Sequence, residues 1–482
     1  MVLAFLVSIW VIRYLGPDDY GILAYALSLT MIVDVIATFG MRSTVVRELV
    51  QEPENEGEII GSTVGVKILT AFLSAGVLIG VGWVTAADSE AFPILVVLAL
   101  SLPVSALSAL DLTFQASLQS QYAVAARSAA LVLASGVRIA LLIAGAPLIA
   151  FAIASAVELS AMGLAFAVMY WWKRASLRSL RFRRGLALRL VGMSWPFLLS
   201  ALAASVYLKV DQVMLHAFST SREVGQYAAA ARISEVWYFI PIAAASSLLP
   251  MLVKRRREDP KAYRANLQRA FDVNAWMAIA LSLSITILAV PGVAVLYGAD
   301  FEGTARILQV HTWAAPFIFM GTVLGRALIA EDLRKFEISR HATGAVLNVS
   351  LNLILIPRLG GMGAAIATVA SYAFASYVAC AFYAPARVHL RQMTRAFFFP
   401  VRLFANRSTS GGHSGGSEDG DGGSGGDPSP SPRGGEPSLD STSNQAGREA
   451  RPDDPDVEAP EVGAAAPVRR PDSWRRGRRT HV

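Results

Sequence analysis

Residues 148–172 read LIAFAIASAVELSAMGLAFAVMYWW, and residues 173–189 continue KRASLRSLRFRRGLALR. The first stretch holds a single charged residue, Glu158. It is long enough to cross a bilayer as a helix, which takes roughly 20 apolar residues. The second carries Lys173, Arg174, Arg178, Arg181, Arg183, Arg184 and Arg189 and no acid. An apolar span delivered into a basic loop is the signature of a cytoplasmic membrane-flanking segment. Composition agrees with that reading. The chain is 54% hydrophobic and only 16% charged, with a mean hydropathy of +0.46, where a soluble chain would carry more charge.

The same alternation runs outward in both directions. Apolar segments near 1–14, 20–40, 63–84, 92–114, 122–145, 148–172, 190–217, 224–250, 270–297, 305–329, 337–357 and 361–385 predict about twelve spanning helices, since lipid offers backbone amides no partner. Loops on one side hold Arg42 and Arg47, Arg127, the 173–189 run, Lys254 to Arg264, Arg334 to Arg340, and Arg387 to Arg402. Loops on the other side, such as Ala86–Ala91 and Gly145–Pro147, are short and poor in Lys and Arg. The expectation is an all-α polytopic membrane protein in the plasma (inner) membrane, with both termini cytoplasmic.

The expected division follows from the long basic loop. Residues 1–172 form an N-terminal six-helix lobe, 173–189 a basic linker, 190–385 a second six-helix lobe, and 386–407 a basic juxtamembrane segment. From 408 to 482 Gly, Ser, Pro and acidic residues dominate and apolar periodicity stops, which predicts a disordered tail. The halves share no strong residue-level repeat, so their symmetry is inferred from helix count, a pattern common among transporters. Met1–Ile12 is apolar, lacks a basic n-region and a small-residue cleavage site, and is too short to span. It reads as the second half of a first helix whose start lies upstream.

Several function classes are disfavoured. The net charge of +7 sits in membrane-flanking loops without interleaved aromatics, which argues against nucleic acid as a partner. The one cysteine, Cys380, excludes an intrachain disulfide. Outside the Gly/Ser-rich tail no HExxH, GxSxG or P-loop pattern occurs and the six histidines are scattered, so we expect no catalytic residues, no metal site and no cofactor. Transport is what remains. Charge inside a membrane costs ~2.5–3.5 kcal/mol at the helix centre, so intramembrane charges point to a cavity or a partner. Those inside apolar segments are Asp34, Asp111, Arg138, Glu158, Lys209, Asp211, Arg232, Glu235 and Arg326. Arg232 and Glu235 share a helix face, and Arg127 and Arg138 lie close to three turns apart.

Three stretches resemble one family. Arg13-Tyr14-Leu15-Gly16-Pro17-Asp18-Asp19-Tyr20-Gly21 is similar to the R-x-L-G-P-x-x-Y-G signature of oligosaccharide flippases. Asp211-Gln212-Val213-Met214-Leu215, Val224-Gly225-Gln226-Tyr227 and Ala231-Arg232 resemble its passage from helix seven to eight. Asn348 to Asn352, Ile356-Pro357 and Gly360-Gly361-Met362-Gly363-Ala364-Ala365 with Thr368 resemble its N-x-x-L-N-x-x-L-I-P-x-x-G-x-x-G-A-A-x-A-T motif. The resemblance covers about residues 1–400 and points to the O-antigen-type polysaccharide flippases of the multidrug/oligosaccharidyl-lipid/polysaccharide superfamily.

That resemblance implies two lobes in a MATE-like V, moving polyprenyl-pyrophosphate-linked oligosaccharide outward by alternating access around a cationic cavity. Arg13 and Arg232 are carried over as cavity cations with the motifs, while Arg138 and Lys209 are added from position alone. Asp34, Asp211 and Glu235 are the carboxylates that would couple transport to a proton or sodium ion. Membrane lipids and polysaccharide-assembly proteins are the expected partners. The rival readings are a MATE-like cation-coupled multidrug antiporter, which would want an acidic cavity, and a membrane enzyme or scaffold of the same glycan pathway.

Overall fold

A computed structural model describes residues 2–86, 89–174 and 180–399. Arg178, Asp88, Arg402 and the predicted 408–482 tail lie outside the described residues. Within the described residues sixteen α-helices follow one another. The first half holds α1 (Val2–Thr38), α2 (Arg42–Gln51), α3 (Glu56–Ala86), α4 (Ala91–Ser105), α5 (Asp111–Ala116), α6 (Ser120–Ile143) and α7 (Leu148–Arg174). The second holds α8 (Arg184–Phe218), α9 (Ser221–Glu235), α10 (Phe239–Glu258), α11 (Pro260–Leu296), α12 (Glu302–His311), α13 (Ala315–Ala330), α14 (Arg334–Ala373), α15 (Ala379–Phe382) and α16 (Arg387–Phe397).

Among the described residues, ten helical stretches are long and apolar enough to cross a membrane. Two of them, Leu3–Gln51 and Arg334–Phe382, have 49 residues each. Either would extend about 74 Å if straight, more than twice a bilayer's hydrocarbon core. Each folds back at a glycine with positive φ, Gly16 at 71° and Gly360 at 54°, and the first breaks again at Phe39 and Gly40 between α1 and α2. Pro17 then restarts the helix where no amide donor is needed. The reversal at Gly360 is visible in packing. A Cβ on Gly363 would lie 2.4 Å from the Leu355 carbonyl oxygen, although eight residues of straight helix span about 12 Å. Counting both arms of each hairpin gives twelve helical segments, the number of apolar segments that the sequence predicts.

The helices are inverted relative to a soluble protein. Leu69, Val84, Ile143 and Phe382 are among many large apolar side chains left exposed, a surface suited to lipid. Inside, the apolar contacts form one core near the low-charge loops and separate cores near the basic loops. The shared core joins Leu23, Ala26 and Leu98 of the first half to Val224, Ala228 and Leu308 of the second. At the basic end, Met41, Val45, Phe114 and Phe166 pack in one cluster, and Leu267, Phe271, Leu324 and Met393 in another. The molecule is therefore sealed at its low-charge end and divided at its basic end. Gly76 and Gly80 on α3 face open space: a methyl added at either would meet none of the described residues within 4 Å.

Candidate functional site: a chain of cationic cavities

Three cavities follow one another from the basic end toward the middle of the first half. The first encloses about 1090 Å³ and is lined by Arg42, Arg47, Lys67, Asp111 and Arg127, with Phe197 and Ala201 from α8. It shares Thr38, Lys67, Ser108 and Met162 with a second, of about 190 Å³. That one shares Asp34, Glu158 and Leu159 with a third, of about 410 Å³, which reaches Arg138, Ser8, Tyr20 and, from α9, Arg232. Among the described residues along this path, Arg42, Arg47, Lys67, Arg127, Arg138 and Arg232 face Asp34, Asp111 and Glu158, six cations against three carboxylates.

The charges differ in how firmly they are held. Arg127 bonds the Asp111 carboxylate, and Arg138 bonds Glu158 at 2.6 Å and Ser155 at 3.3 Å. Arg42 reaches Gln115 Oε1 at 3.0 Å. Lys67 is only 7% exposed, lies near enough to Asp34 and Asp111 to feel both charges, and makes no hydrogen bond among the described residues. A buried, unbonded ammonium on a spanning helix is costly unless it serves a ligand or water. Sequence reasoning misses Lys67. It places the helix start near residue 63, which makes Lys67 look terminal, whereas α3 begins at Glu56 and sets Lys67 three turns deep.

The predicted site residues separate. Arg138, Arg232 and Asp34 line the third cavity. Arg13 lies outside all three, donating to the Val295 carbonyl at 3.2 Å. Lys209 also lies outside and pairs with Glu235 at 3.3 Å, so Glu235 is not the partner of Arg232, whose Nε reaches Ser8 Oγ at 3.4 Å. Asp211 is buried in a cluster of its own. It accepts from Tyr227 at 2.6 Å, Asn352 at 2.6 Å and Thr368 at 2.7 Å. Beside it, Asn352 Oδ1 and Asn348 Nδ2 are buried without hydrogen-bond partners among the described residues. His216 stacks on Tyr25, and His311 bonds Ser234 at 2.6 Å.

The motif glycines meet at the sealed end. A Cβ on Gly21 would lie 1.8 Å from the Ser221 carbonyl oxygen, and one on Gly225 would lie 1.9 Å from that of Pro17. Only glycine permits this backbone contact between the α1 hairpin and α9. Around it Arg222 bonds Asp18 at 3.0 Å and the Asp300 carbonyl at 3.1 Å. Glu223 accepts the Gly361 amide at 2.8 Å, and Gln226 donates to the Asp300 carbonyl at 3.2 Å. Deeper in, Ser28 donates to Gln212 at 2.6 Å. Three stretches that are far apart in sequence form one latch between the halves.

Comparison with known proteins places this geometry. Residues 1–256 match the family model for "Polysaccharide biosynthesis protein", and residues 224–405 match that for "Lipid II flippase MurJ". Two Haloferax volcanii proteins are similar over part of the chain. A probable low-salt glycan biosynthesis flippase, Agl15, is 22% identical over 175 residues. A probable flippase, AglR, is 30% identical over 179 residues. Each match takes in 36% of this chain and spans 37% of the relative's length. Among solved structures, the lipid II flippase MurJ in an inward closed conformation superposes with a TM-score of 0.64 at 15% identity, covering 84% of this chain and 90% of that one. An inward-facing multidrug resistance MATE family transporter gives 0.62 at 15% identity, covering 82% and 95%. At such identity the likeness is one of fold.

Proposed function

Because the chain belongs to the polysaccharide biosynthesis protein family, we propose that it is a flippase carrying polyprenyl-pyrophosphate-linked oligosaccharide from the leaflet at its basic loops to the opposite one. The observation that carries this reading is the run of linked cavities with twice as many cations as carboxylates. The glycan and its phosphates enter at the divided, basic end, while the polyprenyl chain stays in lipid. Arg42, Arg47, Lys67 and Arg127 meet the phosphates first, and Arg138 and Arg232 lie further along the path. Charge-assisted hydrogen bonds from these groups offset the cost of taking phosphate out of water. A cavity of this sign disfavours organic cations as cargo.

Transport then proceeds by alternating access of the two six-helix lobes, 1–172 and 190–385, across the 173–189 linker. The Gly21–Gly225 latch parts as the cores at the basic end close on each other. The basic loops mark the cytoplasmic side, with both termini on it. An inside-negative potential then favours outward movement of an anion by ~2.3 kcal/mol per charge per 100 mV. Of the candidate coupling carboxylates, Asp211 fits a proton or sodium ion best. Its neighbours are neutral hydroxyls and an amide, and the buried Asn352 Oδ1 has no hydrogen-bond partner among the described residues. Ligands of that kind suit a hard cation. The test is complementation of a flippase-null strain, scored by surface polysaccharide. Restored polysaccharide that is lost on Lys67→Gln supports the reading, and no restoration by the wild-type chain contradicts it.

A further inference from the structure

The second half holds a cleft that no part of the transport reading uses. It lies between α13, the start of α14 and the wide helical turn Phe374–Val378, and encloses about 240 Å³. Arg326, Glu337, Arg340, His341 and Ser376 line it. Arg340 is almost fully buried and fully engaged. It holds both Glu337 oxygens at 2.7 and 2.8 Å, the Gly321 carbonyl at 3.2 Å and the Ala375 carbonyl at 3.5 Å. Arg326 is different. It makes no hydrogen bond or ion pair among the described residues, and it lines the same cleft. With the Glu337 carboxylate shared by Arg340 and by His341 at 3.2 Å, no carboxylate of the cleft is left for Arg326.

Its position repeats that of the large cavity in the first half. Each half carries a proline on the way to its turn, Pro103 near the end of α4 and Pro316 near the start of α13. The chain then turns at a residue with positive φ, Leu118 at 57° and Asp332 at 60°. Arg127 and Arg340 follow in the next helix, each lining the cavity of its own half. Arg326 stands about one turn before the end of α13 at Ala330, close in sequence to Arg334 and Lys335 at the start of α14. That is headgroup depth, where basic pockets between spanning helices take anionic lipid headgroups.

We propose that this cleft binds a phosphate group on a lipid, with Arg326 as the ligand of the anion and Arg340 as the fixed strut behind it. The phosphate belongs to a bilayer phospholipid or to the polyprenyl diphosphate of the cargo, and the two sources separate by experiment. The full-length protein carrying Arg42→Gln, Lys67→Gln and Arg127→Gln, which weakens anion binding in the first-half cavity, is titrated by native mass spectrometry with phosphatidylglycerol, undecaprenyl diphosphate and phosphate-free dioleoylglycerol. Adding Arg326→Gln weakens a phosphate-bearing probe about tenfold, the effect of one charge-assisted hydrogen bond, and leaves dioleoylglycerol unchanged. Loss confined to phosphatidylglycerol assigns the cleft to bilayer lipid, and loss confined to undecaprenyl diphosphate makes it a second subsite for cargo. Unchanged binding of both overturns the proposal. If Arg326→Gln lowers the melting temperature sharply, Arg326→Lys decides, because it keeps the charge and loses the fork. A several-fold loss supports the site and none overturns it. Because the readout is binding, it stands or falls separately from transport.

Discussion

Lys67 shows what a single side chain decides. Its ammonium lies three turns inside α3, between Asp34 and Asp111, and lines two of the three cavities. Lys67→Gln keeps a polar group of similar reach and removes the charge. We expect transport to fall at least tenfold with little change in melting temperature, as read by lipid-linked glycan translocation in proteoliposomes. Arg13→Gln should fall less, because Arg13 serves the Val295 carbonyl and not the cavities. Glu331 gives a stability test at the basic end. It takes a hydrogen bond from Tyr263 at 2.7 Å and pairs with His389 at 3.0 Å. Burial pushes its carboxyl up, but the hydrogen bond and charge of His389, the Tyr263 hydroxyl and the Arg256 charge outweigh it and hold the pKa below the ordinary 4.5. A depressed carboxylate stabilises the fold above its unfolded pKa, and that contribution is lost as pH falls through the folded value. Glu331→Gln should therefore cost ~1–3 kcal/mol at pH 7. The deficit should shrink below about pH 4.5, as thermal melts across pH would show.

At the scale of elements, the glycine motifs explain themselves by where they dock. Gly16 and Gly360 turn two long helices into hairpins, and Gly21 and Gly225 bring the α1 hairpin and α9 into backbone contact. Gly225→Val forces a methyl into the Pro17 carbonyl and should hold the latch apart. The expected result is lost transport, with a cysteine placed at Ser8 labelled more readily by impermeant thiol reagents from the low-charge side. Cys380, the one native cysteine, is buried and should stay silent. Much of this level is legible in sequence. The twelve apolar segments and their alternating loops give the helix count, because hydropathy and charge are local properties. The pairing of Lys209 with Glu235 in place of Arg232 with Glu235 is not, because helix-face spacing says nothing of which neighbouring helix faces inward.

For the whole molecule, one shared core at the low-charge end and separate cores at the basic end are the arrangement that the proposed transport cycle would load from its basic side. Joining Asp18→Cys to Arg222→Cys with a short bifunctional thiol reagent should freeze that state and stop transport, with reduction of a cleavable linker restoring it. The central claim is that cations in the first-half cavity hold the phosphates of the cargo. The most direct measurement is the translocation rate of a fluorescent polyprenyl-pyrophosphate-linked oligosaccharide in proteoliposomes. Wild-type protein is compared with the variant combining Arg42→Gln, Lys67→Gln and Arg127→Gln. The account predicts a fall of about a hundredfold or more, from loss of two or three charge-assisted contacts. A folded triple variant that moves the lipid at the wild-type rate would contradict it.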